Sequence, residues 1–201
     1  MKVIFLDIDG VLNYKYSKSC VGVYTGIDTI RVKRLAKIVE ATGAKIVLTS
    51  TWKDSFAIGK TKWEQPSPEG RYLYNKLRKQ HLFVYDKISD KFSWRGRRLA
   101  IDDWLKKHPE VGEQYIVLDD EMFPNYYDHE FFPHLFKTIY KTSIDEWAGL
   151  TEDLTEQAIM ALNGEMNDYS KLPHMDSDFL ADWWTQHYRL PDKYDLTKII
   201  Q

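Results

Sequence analysis

The sequence predicts an α/β fold built on a Rossmann-like, doubly wound parallel sheet. Two observations favour this fold: short apolar runs rich in β-branched and aromatic residues recur along the chain, and helical patterns lie between them. Strand–helix–strand repetition implies right-handed crossovers, with helices covering both faces of the sheet. The predicted strands are residues 3–6, 45–48, 82–85, 115–118 and 136–140.

Capping residues and apolar spacing place the predicted helices. Asp28 is an N-cap for a helix that reaches residue 40, and Gly43 is a stop signal just before the second strand. In a later helix the expected core contacts are Leu99, Trp104 and Leu105. The remaining predicted helices are residues 71–79, 97–107 and 149–162, the last capped by Thr151.

The length of the chain limits the number of domains. The 201 residues suffice for one core, which we assign to residues 1–162. Within it, the Gly, Pro and Ser content of residues 53–70 indicates a loop or small flap that exposes Trp63. Residues 163–201 are predicted to form a helical extension that packs on the core, because a helix at 176–187 carries large aromatic side chains that must be buried.

Charge and cysteine content exclude several classes of protein. The 28 basic and 30 acidic side chains give a formal net charge of -2, so nucleic-acid binding would need a local basic patch. The one cysteine, Cys20, cannot form an internal disulfide, and no Cys/His spacing suggests zinc. The apolar run at the start is too short for a signal peptide and none elsewhere is longer, so we expect a cytoplasmic protein without a membrane segment.

Acidic residues follow two of the predicted strands where each strand ends. In FLDIDGVLN, Asp7 and Asp9 come directly after the first apolar run, and Asp119 and Asp120 follow strand 115–118. Ligands of open parallel sheets bind beyond the carboxyl ends of the strands, where these carboxylates converge if the strands are neighbours. Such a cluster is costly without a divalent cation, and its all-oxygen character indicates Mg²⁺.

Three segments carry a resemblance to a known family. FLDIDGVLN resembles the first motif of the haloacid dehalogenase-like (HAD) superfamily, IVLTS its second motif and YIVLDD its fourth, over residues 1–162. The DGVLN form, TSTWK, RGRRLAIDDWL and GLTEDLTEQAI together resemble a subgroup linked to RNA and DNA end repair. That subgroup is similar to the phosphatase half of polynucleotide kinase-phosphatases. The resemblance implies a HAD fold and a HAD-type phosphomonoesterase.

The resemblance also implies a role for each motif residue. Asp7 would be the nucleophile that forms an aspartyl-phosphate, and Asp9 the general acid and base. Thr49 would donate its hydroxyl to a phosphoryl oxygen. The implied substrate-binding residues are Gly10, Ser50 and Lys53. The implied Mg²⁺ ligands are Asp7, Asp9, Asp119 and Asp120.

The third motif departs from the family pattern, which places a Lys or Arg ahead of the helix that leads to the fourth motif. The segment DKFSWRGRRLAIDDW offers four candidates: Lys91, Arg95, Arg97 and Arg98. We favour Arg95 as the catalytic residue because it precedes Gly96 at the predicted helix start, and the other three remain open.

The spacing of the motifs leaves little room for a cap domain. The chain reaches its first helix soon after Asp9, and the interval between Lys53 and Arg95 is partly spent on a core helix and strand. The expected fold is therefore capless or has only a small insertion. An open site of this kind admits large substrates, such as a nucleic-acid end or a phosphoprotein.

Three functions remain as hypotheses. The first is a Mg²⁺-dependent phosphatase that acts on a nucleic-acid 3′-phosphate end, of DNA or RNA. The second is a small-molecule phosphatase such as a 5′-nucleotidase, with the Trp63 loop as a lid. The third is a catalytically inactive HAD-like binding domain, against which the intact Asp7, Asp9, Thr49 and Asp119 argue. No kinase P-loop is present, so a kinase or ligase partner is expected on a separate chain.

Basic and aromatic residues between positions 60 and 79 form a candidate strand-binding surface. An ordinary solvated helix face is the alternative. The residues are Lys60, Lys62, Arg71, Lys76, Arg78 and Lys79, with Trp63, Tyr72 and Tyr74 among them.

Overall fold

The computed structural model describes residues 1–22, 24–92, 96–121, 126, 131–141 and 144–164. Nearly all of the helical extension predicted at 163–201, including its helix at 176–187, lies outside the described residues. Its packing on the core therefore stays a prediction.

The core of the structure is a five-stranded parallel sheet with strand order β5-β4-β1-β6-β7. A separate two-stranded antiparallel hairpin pairs β2 with β3. This arrangement confirms the predicted α/β, Rossmann-like fold. The strands are β1 (Val3–Leu6), β2 (Cys20–Val21), β3 (Tyr24–Thr25), β4 (Lys45–Leu48), β5 (Val84–Lys87), β6 (Tyr115–Asp119) and β7 (Leu135–Lys137).

Helices cover both faces of the sheet. Apolar side chains of α1, α2 and α4 pack with Ile4 and Leu6 of β1 on one face, while those of α3 pack with Val3 and Phe5 on the other. Residues on both faces of β1 are fully buried, which explains its continuous apolar run. Among the described residues, no helix has the length and apolarity needed to cross a bilayer. The helices are α1 (Thr29–Thr42), α2 (Pro68–Arg78), α3 (Arg97–Lys107) and α4 (Glu152–Leu162).

The structure corrects two details of the helix predictions. Helix α2 begins at Pro68 rather than at residue 71, because the Ser67 hydroxyl accepts a hydrogen bond from the Gly70 amide and proline suits the first helical position. Leu99 is 51% exposed, so its prediction as a core residue is wrong. The buried face of α3 holds Arg97, Ala100, Ile101 and Trp104, and Leu99 lies outside that face.

Two of the predicted strands have different bounds in the structure. Strand β5 begins at Val84 rather than at residue 82, because the chain first meets β4 there, where Val84 pairs with Ile46. Leu82 is buried in the turn after α2, with its amide bonded to the Leu77 carbonyl. Strand β7 likewise starts at Leu135 and ends before the predicted residue 140.

The two insertions into the core are small. The β2–β3 hairpin, which the sequence did not predict, lies between the first motif and α1. The predicted loop at 53–70 contains a 3₁₀ turn at Lys62–Glu64 and gives its last residues to α2. Buried Gln65 bonds both the amide and the carbonyl of Ala57, and Trp63 is 79% exposed as expected. No cap domain is present among the described residues.

A buried arginine joins the start of α1 to the chain before α4. Arg31 is 1% exposed, and its guanidinium donates to the carbonyls of Ala148 and Asp145, each at 2.9 Å. It also pairs with the carboxylate of Asp28, the N-cap of α1. Removing these donors would leave buried carbonyl oxygens without partners.

We therefore expect Arg31→Met to lower the free energy of unfolding by about 3 kcal/mol. Denaturant unfolding followed by circular dichroism measures this change. The matched control is Lys33→Met, on an exposed position of the same helix, which should change it by less than about 0.5 kcal/mol. Equal effects of the two substitutions would contradict a structural role for Arg31.

Candidate active site

The parallel sheet brings the motif residues to one edge. Strand β1 runs in register with β4 and β6 up to its last residue, Leu6. The next residue on each of the three strands is Asp7, Thr49 or Asp119, so these side chains lie side by side and on the same face of the sheet. The predicted convergence of the first, second and fourth motifs is therefore observed.

Three carboxylates form a group that could hold a metal ion. Asp7, Asp119 and Asp120 each offer an oxygen, and these oxygens lie within 4.8 Å of one another. Burial, together with the charges of Asp7 and Asp119, raises the pKa of Asp120 to about 8. A divalent cation would relieve this repulsion, and a set of carboxylate oxygens on strand ends fits Mg²⁺. The group does not include the carboxylate of Asp9, the fourth predicted ligand.

Arg97 neutralises two of these carboxylates. Its Nη1 atom lies 2.6 Å from Asp119 Oδ2 and 3.1 Å from Asp7 Oδ2. Burial alone would lower the pKa of Arg97, but Asp7 and Asp119 outweigh it and raise the pKa. The guanidinium therefore stays charged and holds both carboxylates at the sheet edge.

The structure separates the candidates for the third motif. Of the candidates that the structure describes, Arg97, the first residue of α3, contacts Asp7 and Asp119. Arg98 pairs instead with Asp102 one turn along the helix, and Lys91 is exposed. Arg95, which we favoured, lies outside the described residues, so its assignment stays untested.

Asp119 is fully buried and fixed by three donors. Its Oδ2 atom accepts from Arg97 and from the Tyr126 hydroxyl at 3.1 Å, and its Oδ1 atom accepts from the Glu121 amide at 3.0 Å. Burial raises the pKa of Asp119 while Arg97 opposes that rise. All three partners donate to an oxygen, which favours the ionised carboxylate.

Asp9 has a different environment from Asp7. Asn13 Nδ2 donates to Asp9 Oδ1 at 2.8 Å, and Trp52 Nε1 donates to Asp9 Oδ2 at 3.0 Å. Burial raises the pKa of Asp9 in spite of these two hydrogen bonds. A carboxyl group held in one orientation with a raised pKa suits a general acid.

Asn13 and Trp52 are site residues that sequence reasoning missed. Asn13 also accepts from the Gly10 amide and donates to the Thr25 carbonyl, so it joins the first motif to the hairpin. Trp52 is fully buried and packs against Tyr24, with ring centroids 4.5 Å apart. Both residues lie inside segments that carried the family resemblance, DGVLN and TSTWK, which was the signal available for them.

Gly10 permits the close approach of the first and fourth motifs. It has a φ of +77°, and a Cβ built on it would lie 2.2 Å from the Asp120 Cγ atom. Only glycine combines this backbone conformation with so little space. The chain therefore turns sharply at Gly10 and brings the first motif against Asp120.

The catalytic cleft and a side cleft open at this edge. The catalytic cleft has a volume of 420 Å³, and Ser50 lies in its lining as predicted for a substrate-binding residue. The side cleft has a volume of 530 Å³ and shares Thr51 and Arg97 with the catalytic cleft. Lining residues of the catalytic cleft include Asp7, Asp9, Tyr24, Thr25, Asp120 and Tyr140. Those of the side cleft include Thr49, Lys53, Lys87, Ser89 and Asp90.

Thr49 and Lys53 line the side cleft rather than the catalytic one. Thr49 is 3% exposed, and its hydroxyl has no hydrogen-bond partner among the described residues. A buried hydroxyl without a partner costs free energy, which a ligand oxygen would recover. Lys53, a predicted phosphate contact, forms ion pairs with Asp54 and Asp90.

The carboxylate group predicts a stabilising effect of Mg²⁺. At ten times its dissociation constant, a cation that binds only the native state adds about 1.4 kcal/mol, which raises the melting temperature by about 4 °C. Asp120→Asn should remove most of this shift. Thermal unfolding with and without MgCl₂ measures it, and Asp153→Asn, at an exposed carboxylate of α4, is the control that keeps the shift. An undiminished shift in Asp120→Asn would place the cation elsewhere.

Comparison with known proteins agrees with the geometry. The family model described as the HAD domain in Swiss Army Knife RNA repair proteins matches residues 3–148. Searches of curated proteins and of solved structures found no match. The family match spans all the strands of the sheet and every carboxylate of the site. The chain belongs to the family of HAD domains found in Swiss Army Knife RNA repair proteins.

Proposed function

We propose that the protein is a Mg²⁺-dependent phosphatase that removes a terminal phosphate from a nucleic-acid end, with a 3′-phosphate as the preferred substrate. One observation carries the proposal. Asp7 and Asp9 line the same cleft, yet Asp7 is paired with Arg97, whereas Asp9 is half-buried, hydrogen-bonded to Asn13 and Trp52, and has a raised pKa. Two carboxyl groups whose environments differ in this way can serve as nucleophile and general acid.

The proposed reaction has two steps. In the first, an oxygen of Asp7 attacks phosphorus in line, the bond to the leaving oxygen breaks, and Asp9 gives that oxygen its proton. In the second, Asp9 takes a proton from water, the water oxygen attacks phosphorus, and the bond to Asp7 breaks. Asn13 and Trp52 keep the Asp9 carboxyl in one orientation for both transfers.

Other groups of the chain would stabilise the charge on the phosphoryl oxygens. Arg97 lies beside the nucleophile, and the buried Thr49 hydroxyl is available as a donor. Asp7, Asp119 and Asp120 would hold Mg²⁺, which when bound neutralises charge between the nucleophile and the phosphate.

An uncapped cleft supports a large substrate. The wall beside Asp9 is made by Tyr24 and Thr25 of the hairpin and by Tyr140, and no cap domain covers it among the described residues. The leaving group would therefore extend outward past these side chains. Membership of a family of RNA repair proteins favours a nucleic-acid end as that leaving group.

The nucleotidase hypothesis has less support. It needs a lid, and Trp63 is 79% exposed and is not among the described residues that line the catalytic cleft. A binding domain without activity is disfavoured, because the nucleophile, the acid and the arginine all meet in one cleft.

Arg97→Ala tests the assignment of the third motif. Loss of this guanidinium should lower kcat/KM for phosphate release at least about 100-fold, because Asp7 and Asp119 both lose the cation that pairs with them. Arg98→Ala is the matched control and should lower it less than about 5-fold, since the contacts that the structure describes for Arg98 are with Asp102 and the Phe131 ring and not with Asp7 or Asp119. A large loss in Arg95→Ala with normal activity in Arg97→Ala would return the role to Arg95.

Three substrates separate the candidate functions. Phosphate release should be most efficient for a 3′-phosphorylated oligonucleotide, weaker for a 5′-mononucleotide and weakest for an aryl phosphate. Asp7→Asn should abolish all three activities while the protein stays folded, because the substitution removes the nucleophile and relieves carboxylate repulsion. A preference for the mononucleotide would favour the nucleotidase hypothesis. No release from any of them by the unmodified protein with Mg²⁺ would indicate the inactive binding domain.

A further inference from the structure

A groove runs beside β5, the edge strand of the sheet. This edge groove has a volume of 290 Å³, and its lining includes Phe56, Lys60, Tyr74, Arg78 and Phe83. The side chains come from the end of α2, the start of β5 and the segment before the turn at Lys62–Glu64. None of them belongs to the catalytic cleft.

The groove and its surroundings expose aromatic rings. Phe83 is 63% exposed in the groove, and Tyr85, two residues along β5, is 44% exposed. Trp63, two residues after the groove residue Thr61, is 79% exposed. Single exposed apolar side chains need no explanation, but several rings beside one groove indicate a surface that binds a partner.

Two of these aromatic rings have a positively charged side chain next to them. The Arg78 guanidinium is 3.8 Å from the Phe83 ring centroid, and the Lys62 ammonium is 4.5 Å from that of Trp63. The described residues that line the groove include the cations Lys60 and Arg78 and no acidic residue. The catalytic cleft is the opposite, since Asp7, Asp9, Asp120 and Glu121 line it. Glu64, 3.8 Å from Lys60, offsets part of the positive charge beside the groove. A polyanion would still be attracted more strongly to the groove than to the catalytic cleft, unless a cation is bound in the cleft.

The side cleft lies next to both the groove and the active site. Lys87 lines the side cleft, and its ammonium donates to the carbonyl of Phe56, which lines the edge groove. At its other end the side cleft shares Thr51 and Arg97 with the catalytic cleft. Val84, which lines the groove, pairs with Ile46, and Ile46 pairs with Ile4 of β1. Two strand spacings of about 4.8 Å and a rise of about 3.3 Å per residue from Ile4 to Asp7 therefore put the groove roughly 14 Å from Asp7.

We propose that the edge groove binds a single-stranded nucleic-acid chain whose phosphorylated end lies in the catalytic cleft. Exposed rings accept stacked bases of any sequence, and the cations between them contact the phosphodiester backbone. An acidic peptide would use the cations but not the ring faces. The inference rests on the proposed function, because the groove would bind the part of the substrate that extends beyond the catalytic cleft.

The groove revises the strand-binding surface predicted from the sequence. Tyr72 and Lys76 turn inward, where the Tyr72 hydroxyl accepts from the Ile27 amide and the Lys76 ammonium donates to the Ile27 carbonyl. Arg71 donates to the Gln65 carbonyl. These residues hold α2 in place. Of the four other predicted cations, Lys60 and Arg78 line the groove, and Lys62 and Lys79 do not.

Binding to a fluorescent 3′-phosphorylated single strand of eight nucleotides tests the inference, with the inactive Asp7→Asn protein as host. Lys60→Ala/Arg78→Ala should weaken binding at least about 10-fold at low salt, and should reduce the slope of log K against log[salt] by about 1.4. The charge-matched control is Lys33→Ala/Lys106→Ala, on exposed positions that line none of the three clefts; it should change binding less than about 3-fold.

A second variant separates stacking from charge. Phe83→Leu keeps an apolar side chain but loses the flat ring, so binding should weaken about 5-fold or more without a change in salt slope. In active protein, neither groove variant should alter hydrolysis of an aryl phosphate or of a mononucleotide, which are too short to reach the groove.

The outcomes distinguish the inference from the function on which it rests. If the protein hydrolyses an oligonucleotide 3′-phosphate but the groove variants bind the strand normally, the inference is wrong and the function stands; the groove then serves another partner, such as a protein. If the groove and control variants weaken binding of the strand equally, the inference is also wrong, because the attraction would then come from the overall charge of the protein. Failure to hydrolyse any phosphomonoester would overturn the function itself.

Discussion

The ion pairs of Arg97 with Asp7 and Asp119 are the interaction on which the site depends. A parallel sheet brings the carboxyl ends of β1 and β6 together, and the sequence ends both strands in aspartate. Two buried carboxylates side by side would repel each other. A guanidinium within 3.1 Å of both offsets that repulsion, and the start of α3 must therefore lie against this edge of the sheet.

The same geometry gives Asp7 and Asp9 different surroundings. Asp7 lies next to Arg97, on the face of the sheet that α3 covers. Asp9 is turned away toward the hairpin, where it receives hydrogen bonds from Asn13 and Trp52 and where burial raises its pKa. One short segment of chain thus brings two carboxyl groups with different surroundings to the same cleft, as the proposed roles of nucleophile and general acid require.

The features set by local pattern could be predicted from the sequence, and those set by spatial arrangement could not. The strand ends that carry Asp7 and Asp119 follow from short apolar runs bounded by acids. The choice of Arg97 among neighbouring basic residues depends on which one lies opposite β1, and linear order does not reveal that. The β2–β3 hairpin has strands of two residues, too short to produce a periodic pattern. The partners of Asp9 had no signal beyond the family motifs.

Trapping the covalent intermediate tests the central claim most directly. The protein is mixed with a ³²P-labelled aryl phosphate and Mg²⁺, quenched in acid within a single turnover, and treated with borohydride, which reduces an aspartyl-phosphate to homoserine. The account predicts that label is retained on the protein before reduction, and that peptide mass spectrometry then finds homoserine at position 7. Phosphate release with no label on the protein, or homoserine at Asp9, Asp119 or Asp120 instead, would contradict it.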